Sequence, residues 1–260
     1  MNVEAIRNRA RRDLAVGTEQ GDPCCLLWEH SQRVARSAVR IAGLPGVRDA
    51  SPDRSAILAA ALYHDAGWVA SLKAGEIDRY TILVRPVGDG HWEKGVTLMQ
   101  RGLRKLLPAR SLVQAAAAIR SLGQRDPEPV EGRVIVEADK LDEFGVLSLW
   151  TTIRRGTVDG KGVQNAIDTW RRRKEYRFWD ARLRDSFRFA AVRAVAERRL
   201  KRFERLMLDL EEQHQGDDLS ADAGFEDAEH ILTEEGRGGV DAAGGVRSDG
   251  GEPAAQTTEP

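Results

Sequence analysis

From Ala56 to Leu62 no polar side chain interrupts the chain, and the run then delivers Tyr63-His64-Asp65-Ala66-Gly67. The apolar stretch, opened by Ser51-Pro52-Asp53, predicts a buried helix. Gly67 is its expected stop, because glycine accepts the left-handed turn that closes a helix. Successive helical residues lie about 100° apart, so His64 and Asp65 fan out from one helix end and can grip an ion between them. Elsewhere apolar positions recur at helical spacing. Val3, Ile6, Ala10 and Leu14 predict an amphipathic helix over 2–16 that ends near Gly17 and packs on the core. Leu26 or Leu27, His30, Val34, Ala38 and Ile41 predict a second, with Asp22 as cap and Pro23 in its first turn. His30 thus falls on the apolar stripe, and Gly43-Leu44-Pro45-Gly46 breaks the helix.

Further helices are expected over 91–106, 109–123 and 133–147. Val134-Ile135-Val136 has strand character, but the pattern around it is helical, and Asp139 and Asp142 share one face three residues apart. The intervals 69–89 and 125–131 read as irregular, and 153–163 as a glycine-spaced basic loop. A long helical region then reaches about Gln213, with a break near Arg177. Its seam is Trp179, Leu183, Phe187, Ala191, Val195, Leu200, Phe203, Met207 and Leu210. The fold class is all-α.

Composition changes this picture in three ways. The 260 residues suffice for one medium domain with a single core. No uncharged stretch nears the roughly 20 residues of a membrane span. Adjacent Cys24 and Cys25 suit a vicinal disulfide poorly and read as reduced thiols, so a cytoplasmic protein is expected. The net charge of -1 hides a division, because Gly216–Pro260 holds twelve acidic residues and two arginines. That segment is Gly-, Asp-, Glu- and Ala-rich and cannot bury enough apolar surface to offset its ordering entropy, so a disordered tail is expected. Residues 171–205 carry fourteen basic and five acidic side chains. Read as a basic helix, they support an alternative function: a non-catalytic binding or regulatory protein that engages nucleic acid or another acidic partner. No base-reading motif accompanies them, and nucleic acid is the less expected partner.

The chemistry lies in the histidines and aspartates. His214 and His230 sit in or beside the tail. His30, His64, Asp65 and Asp139 come from the inner ends or faces of three predicted helices. A histidine on an apolar face can simply be a satisfied core residue. Ionised aspartates in a core need a cation or a hydrogen-bond network, and a divalent metal meets both needs.

The order His … His-Asp … Asp resembles that of the HD-domain metal-dependent phosphohydrolases, in particular small bacterial members. The resemblance rests on His30-Ser31-Gln32-Arg33-Val34, where the family shows His-x-x-Arg-Val. It also rests on the doublet in Ala60-Ala61-Leu62-Tyr63-His64-Asp65-Ala66-Gly67. The third motif, Ala138-Asp139-Lys140-Leu141-Asp142-Glu143-Phe144-Gly145, is close to Ala-Asp-x-Leu-Asp-x-x-Gly. It spans residues 22–213 and implies an HD-type helical domain over 22–214, between an N-terminal helix (1–21) and the acidic tail (215–260). It implies His30, His64, Asp65 and Asp139 as metal ligands. Such a mixed N/O set suits Mn, Fe, Co or Ni better than structural Zn.

The implied activity is hydrolysis of a phosphate ester of a nucleotide or related metabolite by metal-activated water. His64, Asp65, His91 and Lys140 are the candidate catalytic residues, and Arg33 and Asp142 the candidate substrate contacts. Two-metal members add two histidines between the doublet and the last aspartate. Here only His91 lies in that interval, and one metal is expected. His91 is then a supporting or proton-transfer residue, an occasional ligand, or a plain surface residue beside Gly90 and Trp92. Arg120, Arg154 and Arg155 are further phosphate candidates. Trp28, Trp68 and Trp92 either stack a base or pack the core.

Overall fold

The structure is a computed structural model and describes residues 2–17, 23–24, 26–124 and 127–219. The capping role expected of Asp22 and the expected disorder from Ser220 onward lie outside the described residues.

The fold grows around α4 (Arg54–Tyr63), in which every residue from Ala56 to Tyr63 is buried. Its four alanines and lack of charge after Ser55 let helices approach on all sides. Around it pack α2 (Leu26–Ile41), α6 (His91–Leu103), α7 (Ala109–Arg120) and α8 (Val130–Asp142). Asp53 caps its start: Oδ1 accepts from the amides of Ser55 (2.8 Å) and Ala56 (3.1 Å). The same carboxylate accepts from Ser111 Oγ at 2.6 Å, and the Asp53 amide donates to Glu131 at 2.9 Å. One residue thereby ties together the first turns of α4, α7 and α8. At the other end, the Tyr63 hydroxyl donates to Asp13 at 2.7 Å and Arg9 pairs with Asp13 at 2.9 Å, which docks α1 (Val3–Leu14).

The remaining helices form a second cluster, α9 (Val146–Val158), α10 (Val163–Glu175), α11 (Phe178–Ser186) and α12 (Ala190–Gln215). Their core is aromatic: Trp179 meets Phe144 at 5.5 Å and Phe203 at 6.0 Å, and Trp170 meets Phe203 at 4.9 Å. The all-α class holds, with one two-residue antiparallel pairing of β1 (Val16–Gly17) with β2 (Pro23–Cys24). Among the described residues no helix is long and apolar enough to cross a membrane.

Several local expectations change. Pro23 lies in the β pairing, and α2 begins only at Leu26. Gly67 does not end a helix in the left-handed region; it opens α5 (Gly67–Lys73), which with a short 3-10 turn at Arg79–Thr81 orders part of 69–89. A Cβ on Gly67 would stand 2.3 Å from the His91 carbonyl oxygen, so close approach is what this glycine serves. Most of 153–163 is helix rather than loop, the second half of α9. The break at Arg177 is present, with φ of 52°. A second break at 187–189 escapes the pattern, because Phe187 and Ala191 keep helical spacing across it. There the buried Glu137 accepts from the amides of Arg188 (2.6 Å) and Phe189 (3.2 Å), satisfying donors that lead into α12. Residues 171–205 are therefore parts of three helices, not one basic helix.

Burial works against ionisation of Asp53, yet its bonds from Ser111, Ala56 and Ser55 hold the carboxyl below its ordinary range. The stabilisation is therefore present above the unfolded value near 3.8 and is lost as pH falls through the lower folded value. Asp53→Ala should cost about 1–2 kcal/mol at pH 7, with the gap to wild type narrowing below pH ~4. Urea unfolding of both proteins at pH 7 and at pH ~3 checks this.

Candidate metal centre

Three helices bring the site together. His30 lies on the inner face of α2, His64 and Asp65 follow the last turn of α4, and Asp139 and Asp142 lie on α8. His30 Nε2 and His64 Nε2 stand 3.1 Å apart. Asp65 Oδ2 is 3.5 Å from the first and 3.6 Å from the second. Asp139 Oδ1 is 3.3 Å and 3.5 Å from the same two nitrogens. The four residues that the sequence singles out as ligands thus meet at one point. Ligand atoms of His30, His64 and Asp65 all lie within 4.8 Å of one another.

The far side of each ring fixes which nitrogen faces inward. His30 Nδ1 is 3.0 Å from Asp142 Oδ2, and His64 Nδ1 is 2.9 Å from the Ala61 carbonyl oxygen. Both partners only accept, so each Nδ1 carries the proton and donates, leaving Nε2 to face the centre. Asp142 is held in turn by Arg33, whose Nε lies 3.1 Å from both carboxylate oxygens and whose Nη2 lies 2.9 Å from Oδ2. Arg33 and Asp142 are therefore joined to each other and to His30.

His91, at the first position of α6, places Nε2 3.4 Å from Asp65 Oδ1 and meets Trp68 edge-on at 5.1 Å. It is 3% exposed, which excludes the surface role. The bare Cα of Gly67 is what allows His91 this close.

Electrostatics follow from the crowding. Burial opposes the charge on Asp65, but His64, His30 and His91 hold its carboxyl well below the usual range. Asp139 is lowered in the same way, burial again being outweighed by His30 and His64. Burial also opposes protonation of His30, yet its bonds to Asp139, Asp142 and Asp65 raise it well above an ordinary histidine. His64 is raised by Asp65 and Asp139 against the same opposition. The two carboxylates thus favour a positive charge at this point, which is why both imidazoles hold a proton more tightly than an ordinary histidine. The donor set fits a metal: ligands about 2.1 Å from a common centre at 90–110° stand roughly 3.0–3.5 Å apart. The measured separations run from 3.1 Å to 3.6 Å.

The centre opens into a cavity of about 520 Å³, whose lining includes His30, Asp65 and Asp139. Side chains of α9 to α11 complete it, among them Trp150, Arg155, Arg173 and Phe178. Arg154 and Arg155 also line it while donating to the carbonyls of Ile82 (3.2 Å) and Val84 (2.9 Å). Lys140 is not among the residues that line the cavity, and burial and the nearby Arg182 lower its pKa. Arg120 pairs with Glu93. Trp28 and Trp68 are buried in the core, and Trp92 packs beneath Gly123. Arg173 and Trp150 escape the sequence reading. Their only signals are the run Arg171-Arg172-Arg173-Lys174 and a lone aromatic on a helix, which do not show that both border the same cavity.

The HD domain family model matches residues 27–143. No curated protein matches the chain in sequence. Among solved structures, Bacillus subtilis YpgQ in complex with ADP is similar at 22% identity and a TM-score of 0.50, over 81% of this chain and 94% of YpgQ. A second structure of Bacillus subtilis YpgQ gives 21% identity and the same score over 81% and 94%. A Lactobacillus plantarum protein is similar at 18% identity and a TM-score of 0.49, over 82% and 97%. The two YpgQ likenesses agree with the helical architecture, and the segment matched by the family model contains His30, the His64-Asp65 doublet and Asp139. The chain carries an HD domain over residues 27–143.

Proposed function

We propose that the protein is a metal-dependent phosphohydrolase that cleaves a phosphate ester of a nucleotide or related small metabolite. The observation that carries this reading is the convergence of His30 Nε2, His64 Nε2, Asp65 Oδ2 and Asp139 Oδ1 within 3.6 Å contacts at the edge of an open cavity. HD domains are typically metal-dependent phosphohydrolases. A cavity of 520 Å³ has the size of a small-ligand site, and its arginines and exposed Trp150 suit a ligand with phosphate and a planar ring. The ADP complex of YpgQ supports the nucleotide class.

His30, His64, Asp65 and Asp139 are the residues that hold the ion. A divalent ion bound there supplies Lewis-acid polarisation of a phosphoryl oxygen and lowers the pKa of water. Two imidazoles with two carboxylates suit Mn, Fe, Co or Ni better than a closed zinc site. A single ion is the reading, since among the described residues no other group of three such side chains converges. Asp142 keeps the His30 proton on Nδ1, and Arg33 keeps Asp142 in place, so both act through His30. The Ala61 carbonyl does the same for His64. His91 orients Asp65, and Lys140 has no part in this chemistry.

His64→Ala and Asp65→Ala should each remove near-stoichiometric metal and lower hydrolysis of a generic phosphomonoester or nucleotide by at least ~100-fold. Metal analysis beside a substrate screen measures both, and turnover retained after the metal is gone would refute the mechanism. Asp142→Asn should leave the fold intact while lowering metal affinity or kcat/KM by about 10- to 100-fold. The imidazoles are held above the ordinary histidine value. Metal must displace those protons, so affinity should fall as pH drops below the raised values and binding should release protons. Calorimetric titration of metal in buffers of different ionisation enthalpy reads the proton count. A heat independent of buffer would contradict it.

A further inference from the structure

We infer that the part of the cavity built by α9 and α10, outside the matched HD segment, is an anion-recognition subsite centred on Arg173. It would bind a phosphate group of the substrate other than the one at the metal. This rests on the reading of the cavity as a phosphate-ester site and adds the residue that selects the substrate's charge.

Arg173 borders the same cavity as His30, Asp65 and Asp139. Its guanidinium lies over the Phe178 ring at 5.1 Å and over Trp179 at 5.7 Å, which orients its plane. Among the described residues it makes no hydrogen bond and no ion pair, unlike most arginines around it. Arg33 in the same cavity is occupied by Asp142, Arg171 by Glu211, and Arg177 by Asp180. The nearby charges are Arg155 and Arg182, with Glu143 as the opposing carboxylate, and Glu143 already pairs with Arg182. Burial first, then those two arginines, lowers the Arg173 pKa.

A half-buried cation crowded by like charges has no paired counter-ion among the described residues. Ring stacking leaves the edge of the guanidinium free, and that edge matches two phosphate oxygens. A structural arginine that only packed on rings would not need to border the cavity of the metal centre, nor to cluster with Arg155.

The test is calorimetric titration of the full chain with ADP and with adenosine, the metal removed by a chelator. Wild type should bind ADP more tightly than adenosine. Arg173→Gln should raise the ADP Kd by roughly tenfold or more and leave the adenosine Kd unmoved. Arg173→Lys, which keeps the charge but not the planar fork, should raise it less. Circular dichroism and thermal unfolding establish that each variant is folded. Should Arg173→Gln not fold, Arg155→Gln takes its place and should weaken ADP in the same direction by a smaller factor. Equal ADP affinity in wild type and the folded variant, or ADP no tighter than adenosine in wild type, overturns the subsite. Because binding is read without metal, absence of hydrolysis would sink the phosphohydrolase reading alone. Hydrolysis with an ADP Kd indifferent to these arginines would sink the subsite alone.

Discussion

Two aspartates pressed against two imidazoles at the end of a wholly apolar helix set the terms for this fold. Carboxylates in such a place are costly unless a cation stands between them. The raised proton affinity of His30 and His64 reflects that need, and the proposed ion would meet it. The rest of the domain holds those four groups at one distance from one another.

That task explains features that otherwise look unrelated. Asp142 and the Ala61 carbonyl turn the two rings so that matching nitrogens face inward. Arg33 steadies Asp142 from behind. Gly67 leaves room for His91, which reaches Asp65 from the opposite side. At the far end of α4, Asp53 joins the starts of three helices, so the helix that presents His64 and Asp65 has a fixed origin. Glu137, two residues before Asp139, anchors α8 to the corner where α12 begins. A shift of any of these would move a ligand atom by a distance that metal coordination does not tolerate.

The molecule also divides its labour. The matched HD segment, 27–143, carries the ionisable cluster. The cavity beyond it is shaped by α9 to α11, where arginine and aromatic side chains predominate. One segment thus carries the reactive geometry and the other the surface that a ligand meets. Of the fourteen basic residues of 171–205, Arg171, Lys174, Arg177, Arg182 and Arg184 pair with acids, and Arg193 and Arg199 donate to backbone carbonyls. Half of the segment's basic side chains are thus engaged within the fold, which weakens the case for a nucleic-acid surface there.

The apolar run before His64, the stripe that carries His30 and the spacing of Asp139 from Asp142 were legible because helical periodicity is a local property. The order of those motifs carried the resemblance that implies the four candidate ligands, since each motif is written in contiguous residues. Local pattern could not reveal the break at 187–189, where apolar spacing continues across a turn held by a glutamate fifty residues earlier. Nor could it tell that Gly67 serves a histidine on another helix, that Arg33 is bound to Asp142, or that Lys140 is absent from the cavity lining. Those outcomes depend on which side chains meet across the bundle, and only packing in three dimensions fixes that. The chain by itself determined the helices and the chemistry they carry; the tertiary structure decided the partners, the protons and the wall that a ligand would touch.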